Sequence, residues 1–446
     1  MISRMQNHTP SNAGLLARSL SAVWHPCSQM KHYENFPLVP VARGQGMWLY
    51  DFDGKRYLDA VSSWWVNLFG HCNPRINAAL RDQLETLEHV MLAGFTHEPV
   101  VRLSEKLRDL APAGLGHCFY GSDGASATEI ALKMSAHYWR NTGKPDKTQF
   151  ISLENSYHGE TLGALSVTDV ALFRDAYGAL IRQQATVPSP DSREAAAGES
   201  AEAYALRCAA ALEQHLQQHH AQLAALIVEP LVQGAAGMAM YHPVYLRRAR
   251  ELCDAYDVHL IADEIAVGMG RTGTLFACEQ AGITPDFLLL SKGITGGYLP
   301  LSVVMTRDKI YQAFYADETA RGFLHSHSYT GNPLACRAAL ATLDIFAQDD
   351  VLAANRNKAA YLNGIARPLS EHHAVRNWRN TGMIWAFEVV SPHRDFAQRC
   401  FALALQNELL LRPIGNTVYF MPPYVIGEVE MQLLVTRTLE IVEALA

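Results

Sequence analysis

Short apolar runs alternate with longer amphipathic stretches through most of this chain. The runs fall at 117–120 (HCFY), 149–153 (QFISL), 224–228 (AALIV), 258–262 (VHLIA), 286–290 (DFLLL) and 301–305 (LSVVM). Their length and nearly continuous apolar character suit strands buried on both faces. Helical patterns lie between most of them. From Pro243 to Asp257, for example, Tyr245, Leu246, Ala249, Leu252, Cys253 and Tyr256 share one helical face, and Pro243 suits a first turn. Strand, helix and strand in alternation predict an α/β fold with a mainly parallel sheet covered on both faces. Gly46 to Leu58 reads as a hairpin turning at Asp53-Gly54. The polar, Pro- and Ser-rich stretch from Pro188 to Ser200 reads as a surface excursion without chemistry. Beyond Gly331 helical patterns dominate until LLLRPIGNTVYFMPP returns to strand-like character.

A length of 446 residues exceeds one ordinary core, so a large domain with a smaller one is expected. With 49% hydrophobic and 18% charged residues the chain is globular rather than disordered. A net charge of -7 without a Lys/Arg cluster argues against a nucleic-acid partner and against an anionic membrane surface. The eight cysteines form no C-x-x-C pair, which leaves neither a disulfide framework nor a metal site a basis; they read as buried small hydrophobes. The amino terminus lacks the apolar core of a secretory signal, and Glu229 and Lys292 interrupt the two longest apolar runs. A cytoplasmic protein is therefore expected.

Three places could carry chemistry. LIADEIAVGMGRTG (260–273) puts Asp263 and Glu264 at the carboxyl end of an apolar strand, where open parallel sheets bind ligands; only one of the two can readily face a given ligand, because strand side chains alternate. The next strand runs into SKGITGG, so Lys292 emerges into a Gly-rich turn, and a lysine desolvated there has the lowered amine pKa that Schiff-base chemistry needs. YGSDGASATEIALKM (120–134) joins a strand to a helix through small residues whose backbone N–H groups, at the positive end of the helix dipole, suit a phosphate. A phosphate, a basic ring nitrogen and an aldehyde together describe pyridoxal 5'-phosphate (PLP), with Asp263 at the pyridinium and Lys292 as covalent anchor and proton carrier. A rival reading is a nicotinamide-dependent dehydrogenase, since GMGRTG (268–273) satisfies G-x-G-x-x-G. It lacks an acidic residue at the right distance: Asp286 begins a strand instead of ending one.

ADEIAVGMGRTG, SKGITGG and NSYHGETLGALSV (155–167) resemble signatures of the class III aminotransferases of the type I PLP fold, a likeness spanning nearly the whole chain. It implies a cofactor set of Lys292, Asp263, Ser122, Gly124, Ala125, Tyr157, His158 and Glu229, with Tyr157 stacked on the ring and Gln233 nearby. HSHSYTGNPLAC (325–336) resembles the loop that reaches the phosphate of a neighbouring subunit, implying a homodimer with His327 and Ser328 at the shared site. WHPCSQMK (24–31), SSWW (62–65) and LLLRPIGN (409–416) are similar to members that aminate 8-amino-7-oxononanoate in biotin biosynthesis. They imply a substrate set of Cys27, Trp64, Trp65, Tyr157, Lys292, Ser326 and Arg412, the last gripping a carboxylate. Cys27 stands where many of these members have Tyr, which bears on the amino donor: S-adenosyl-L-methionine in most, lysine in some. Another class III transaminase of omega-amino acids or diamines is the alternative. The resemblance also implies a small domain built from residues 1–64 and 336–446 around a large PLP domain, 65–335.

Overall fold

The computed structural model describes residues 11–446; the first ten residues of the expected small domain and of the terminus read for a signal lie outside that range. Seven strands form the central sheet: β1 (Leu115–Gly121), β2 (Gln149–Leu153), β3 (Ala185–Val187), β4 (Leu223–Val228), β5 (His259–Asp263), β6 (Phe287–Leu290) and β7 (Ser302–Arg307). Their spatial order is β1-β7-β6-β5-β4-β2-β3. All pairings are parallel except those of β7, which runs antiparallel to both β6 and β1. Two reversals restore direction, so β1 ends on the same edge as β6, β5, β4 and β2. Every loop expected to carry chemistry thus leaves from one edge.

Alternation along the strands divides the core. Leu226, Val228, Leu260, Leu288 and Leu290 enter one apolar cluster, whereas Ile227, Ile261, Phe287 and Leu289 enter the other. The first cluster is closed by Leu246, Ala249 and Leu252 of helix Val244–Ala255, the second by Ala127, Ile130 and Met134 of helix Gly124–Asn141. Burying each such Leu, Ile or Phe side chain stabilises by about 1.5–3 kcal/mol, which makes the sheet a rigid base for its loops.

The expected hairpin is present as Trp48–Asp51 and Arg56–Asp59, and Leu409–Leu410 adds to it in parallel, pairing with Leu58 and Asp59. Residues from both ends of the chain therefore share one small sheet. The carboxyl-terminal third departs from expectation: Val375–Thr381 and Ile384–Val389 pair with Thr417–Phe420 in a three-stranded antiparallel sheet. Arg376 and Arg379 hide the first of these strands from a hydrophobic pattern; Arg379 instead bonds Glu388 at 2.8 Å.

Two further expectations are corrected. The Pro188–Ser200 segment is not wholly superficial: Ser189 and Asp191 are buried, and Arg193 links Asp191 (2.6 Å) to Glu388 (2.8 Å). Of the eight cysteines, all free, Cys27 and Cys72 are exposed. Among the described residues no helix is long and apolar enough to cross a membrane.

Candidate active site

A cavity of ≈ 790 Å³ opens at the edge where the parallel strands end, and both Asp263 and Lys292 line it. Strand alternation sorts the two carboxylates as expected. Asp263 faces the cavity, while Glu264 turns away and accepts hydrogen bonds from the backbone N–H groups of Ala277 (2.6 Å) and Cys278 (2.8 Å). Asp263 is held twice: Oδ2 lies 2.7 Å from Nδ1 of the buried His158, and Oδ1 accepts from the Ile265 N–H at 3.1 Å. These two bonds, in a buried setting, fix the orientation of the carboxylate that lines the cavity.

Lys292 follows β6 with a positive φ of 44°, a backbone conformation costly for a non-glycine residue and a frequent mark of a functional position. Burial lowers its amine pKa, with Asp263 and Glu229 pulling the other way. Its Nζ stands 5.2 Å from the Trp65 ring centroid. Glu229 is pushed up to about 8 by burial and by Asp263, against the hydrogen bonds it accepts from Tyr157 N–H (3.1 Å) and Gly234 N–H (3.0 Å). Burial beside Asp263 thus favours the protonated form of Glu229.

At one side of the cavity β1 passes through Ser122 and Asp123 into helix Gly124–Asn141. Asp123 caps it, accepting from Ser126 N–H at 2.9 Å, and the remaining N–H groups of the first turn have no intrahelical acceptor. Close packing makes the turn's small residues necessary. A Cβ on Gly124 would lie 2.9 Å from Ile265 Cγ2, and one on Gly159 would lie 2.6 Å from Ala125 Cβ. Ser122 Oγ is 3.0 Å from His327 Nδ1, whose Nε2 is 3.1 Å from His325 Nε2. Backbone donors, a hydroxyl and a dipole in one corner make an anion cradle.

The opposite wall contains a feature without a sequence signal: Ser62, Ser63, Trp64 and Trp65 all have positive φ, between 47° and 72°. Such a left-handed turn of L-residues costs roughly 1–2 kcal/mol per residue. Offsetting bonds come from Asp59, which accepts from Ser63 N–H (2.9 Å) and Oγ (2.7 Å), from Ser62 Oγ to the Met421 carbonyl (2.7 Å), and from Trp65 Nε1 to the Tyr419 hydroxyl (3.0 Å). The turn presents both indoles to the cavity. The Arg412 guanidinium packs on the Trp64 ring at 4.5 Å.

Most of the expected residues come together. Cys27, Trp64, Trp65, Tyr157, Glu229, Asp263 and Lys292 line the cavity, as do Ser122, Gly124, Ala125 and His158. Arg412 and His327 reach it only through Trp64 and Ser122, and Ser326 and Ser328 are exposed on their loop. Gln233 does not face it: its side chain bonds Ser189 and the Glu154 carbonyl. Sequence reasoning missed Glu160, which accepts from the Tyr157 hydroxyl at 2.9 Å, and Ile265 and Val267, two and four positions past Asp263. The SYHGE string carried a signal for Glu160, whereas Ile265, Ala266 and Val267 line the cavity from a turn beyond the strand and had no periodic signal. Burial and Glu160 push the Cys27 thiol up, with Arg412 pulling the other way.

The dinucleotide reading fails on geometry. GMGRTG opens no α-helix, only a turn that leads to a five-residue 3-10 helix at Ala277–Ala281, and its Arg271 is buried as a staple, donating to the carbonyls of Pro422 (2.7 Å) and Asn67 (2.9 Å). The family model Aminotransferase class-III matches residues 29–442. The chain belongs to this family. A curated class III relative, the adenosylmethionine-8-amino-7-oxononanoate aminotransferase of Helicobacter pylori, is 46% identical over 97% of this chain and 98% of its own. The solved structure of the Methanocaldococcus jannaschii protein of that name superposes with a TM-score of 0.90 at 35% identity, covering 97% of this chain and 99% of that one. A PLP-bound amine transaminase from an uncultivated Pseudomonas species gives 0.89 at 32%, covering 95% and 98%. This class III aminotransferase thus has the type I PLP-transferase fold along nearly its full length.

Proposed function

We propose that this aminotransferase uses PLP to aminate 8-amino-7-oxononanoate to 7,8-diaminononanoate in biotin biosynthesis, in the cytoplasm, with S-adenosyl-L-methionine as donor. The observation that carries the reading is one cavity holding a desolvated lysine, a histidine-braced aspartate and a helix-start anion cradle. The 46% likeness to a relative of that name supports the substrates. Omega-transaminases of 28% identity superpose as well, at 0.91, so fold by itself does not choose between substrates.

PLP supplies an electron sink and carries the amino group between two half-reactions. In this reading Ser122 and the N–H groups of Gly124 and Ala125 hold its phosphate, Tyr157 covers its ring, and Asp263, oriented by His158, keeps a proton at the ring nitrogen. Lys292 is the covalent anchor and moves the proton at the reacting carbon; its burial lowers the pKa and so frees the amine to accept one. Glu229 closes the floor. Trp64 and Trp65 flank the acceptor chain and Arg412 receives its carboxylate. We read residues 1–64 and 336–446 as a small domain around 65–335, supported by the parallel pairing of Leu409 with Leu58.

A homodimer belongs to the same reading. Ser326 and Ser328 are exposed, and Met91, Phe95, Leu324 and Tyr329, more than half exposed each, offer apolar surface around the same loop. Presenting the acceptor with S-adenosylmethionine, lysine and a generic omega-amino acid in turn tests the function. Diaminononanoate formation with S-adenosylmethionine is expected. Its absence with every donor overturns the acceptor, and turnover with lysine alone overturns the donor.

A further inference from the structure

A second cavity, of ≈ 400 Å³, lies beside the first. It is a half-open pocket lined by residues from the 27–41 segment, by Leu49 and Tyr57 of the hairpin, and by helix Phe396–Gln406. Its walls are mostly apolar, with Phe36, Leu38, Val41, Leu49, Phe401 and Leu405 among them. Three hydroxyls in the wall are already satisfied: Tyr33 and Ser28 bond each other at 2.7 Å, and Tyr57 donates to Asp51 at 2.9 Å; Gln29, His32 and Gln398 are the other polar side chains beside Arg412. Among the described residues no Asp or Glu lines the space. Arg412 does, and among the described residues its guanidinium has no carboxylate within 4.0 Å; it rests on Trp64, a wall of the first cavity. Cys27 lines both cavities, so Cys27 and Arg412 stand on the boundary between them.

An apolar chamber of ligand size with one unpaired planar cation and no anion selects a molecule with a hydrocarbon body and an anionic end. We infer that this chamber is a second ligand site for a medium-chain aliphatic carboxylate, its tail among Phe36, Phe401 and Leu405 and its carboxylate on Arg412. Occupation turns Arg412 from the Trp64 side to the chamber side. Resting on the role proposed above for Arg412, the consequence is that such a carboxylate weakens acceptor binding from outside the Lys292 cavity.

The test uses cofactor-loaded enzyme, octanoate as probe and octylamine as control, with binding read by saturation-transfer NMR. Wild type is compared with Phe401→Trp and Leu405→Phe, which fill the chamber and touch neither Lys292 nor Trp64. Saturable octanoate binding at ~1 mM or tighter is expected, with at least tenfold weaker binding in a filled variant whose transaminase turnover is unchanged and with no comparable binding of octylamine. Leu405→Phe decides the matter should Phe401→Trp not fold. Octanoate binding unaltered in the filled variants would place the probe in the Lys292 cavity and overturn the inference; so would silence of the wild type at ~10 mM, weaker than the ligand efficiency of a well-fitted chain allows, or equal binding of octylamine. The aminotransferase assay is a separate readout, so failure of the functional reading shows as lost turnover and not as lost octanoate binding.

Discussion

The floor of the cavity and its rim are built on opposite terms. At the floor, Asp263 and His158 are 4% and 2% exposed, and the strand end that presents Asp263 is packed on both faces. There burial decides protonation: it raises Glu229, lowers Lys292, and makes the Asp263–His158 contact strong. At the rim, Trp64 is 41% exposed, and Cys27 and Arg412 come from an amino-terminal segment and a two-residue strand's exit. Water screens charge there, so stacking and shape do more of the work than isolated ion pairs. The difference teaches that floor substitutions should remove chemistry and rim substitutions should shift substrate binding.

Lys292→Ala is the largest expected effect: kcat falls by ~10⁴-fold with loss of the proton carrier, checked by single-turnover transfer, and appreciable residual turnover breaks the floor account. Asp263→Asn follows, lowering kcat by on the order of 10²-fold or more and altering the visible spectrum of the bound cofactor, while acceptor KM changes little. Arg412→Ala acts at the rim. Because the guanidinium is exposed, the lower end of a charge-assisted bond applies, ~1.5 kcal/mol or about tenfold in acceptor KM with kcat retained; an unchanged KM removes it from the acceptor's site.

The fourth prediction concerns proton linkage. Glu229 moves from 4.5 to about 8 on folding, so across that window the native chain keeps a proton that the unfolded chain has released, and stability falls as pH rises through it. Glu264, raised to about 7 by burial, acts in the same direction. In cofactor-free protein, Glu229→Gln should make the urea midpoint decline less steeply than wild type as pH rises toward about 8; identical slopes would mean that Glu229 is ionised in the fold. Smallest is Cys27→Tyr, expected to shift donor or acceptor KM by less than about fivefold, within ~1 kcal/mol, and to leave the cofactor spectrum untouched.

What was legible in the sequence follows the same division. The strand runs mark the sheet because both faces are buried, and alternation sends only one of Asp263 and Glu264 to the cavity. The strand Val375–Thr381 was illegible because Arg379 pairs with Glu388 of the neighbouring strand while Arg376 bonds the His373 and Val375 carbonyls, and the burial of Asp191 because its Arg193 reaches the same glutamate, 195 residues away in the chain. Such satisfaction of charge by a distant partner leaves no periodic trace. The left-handed turn at Ser62 to Trp65 is likewise unmarked: it contains no glycine, and bonds to Asp59, Met421 and Tyr419 stabilise it from outside. The resemblance located both tryptophans, but only the coordinates give their mode of presentation.

The central claim is that one particular amine carries the cofactor. Borohydride reduction of the loaded enzyme, followed by peptide mass spectrometry, tests it most directly. A pyridoxyl mass on Lys292 alone is the predicted result; the same mass on any other lysine, with Lys292 unmodified, would contradict the account.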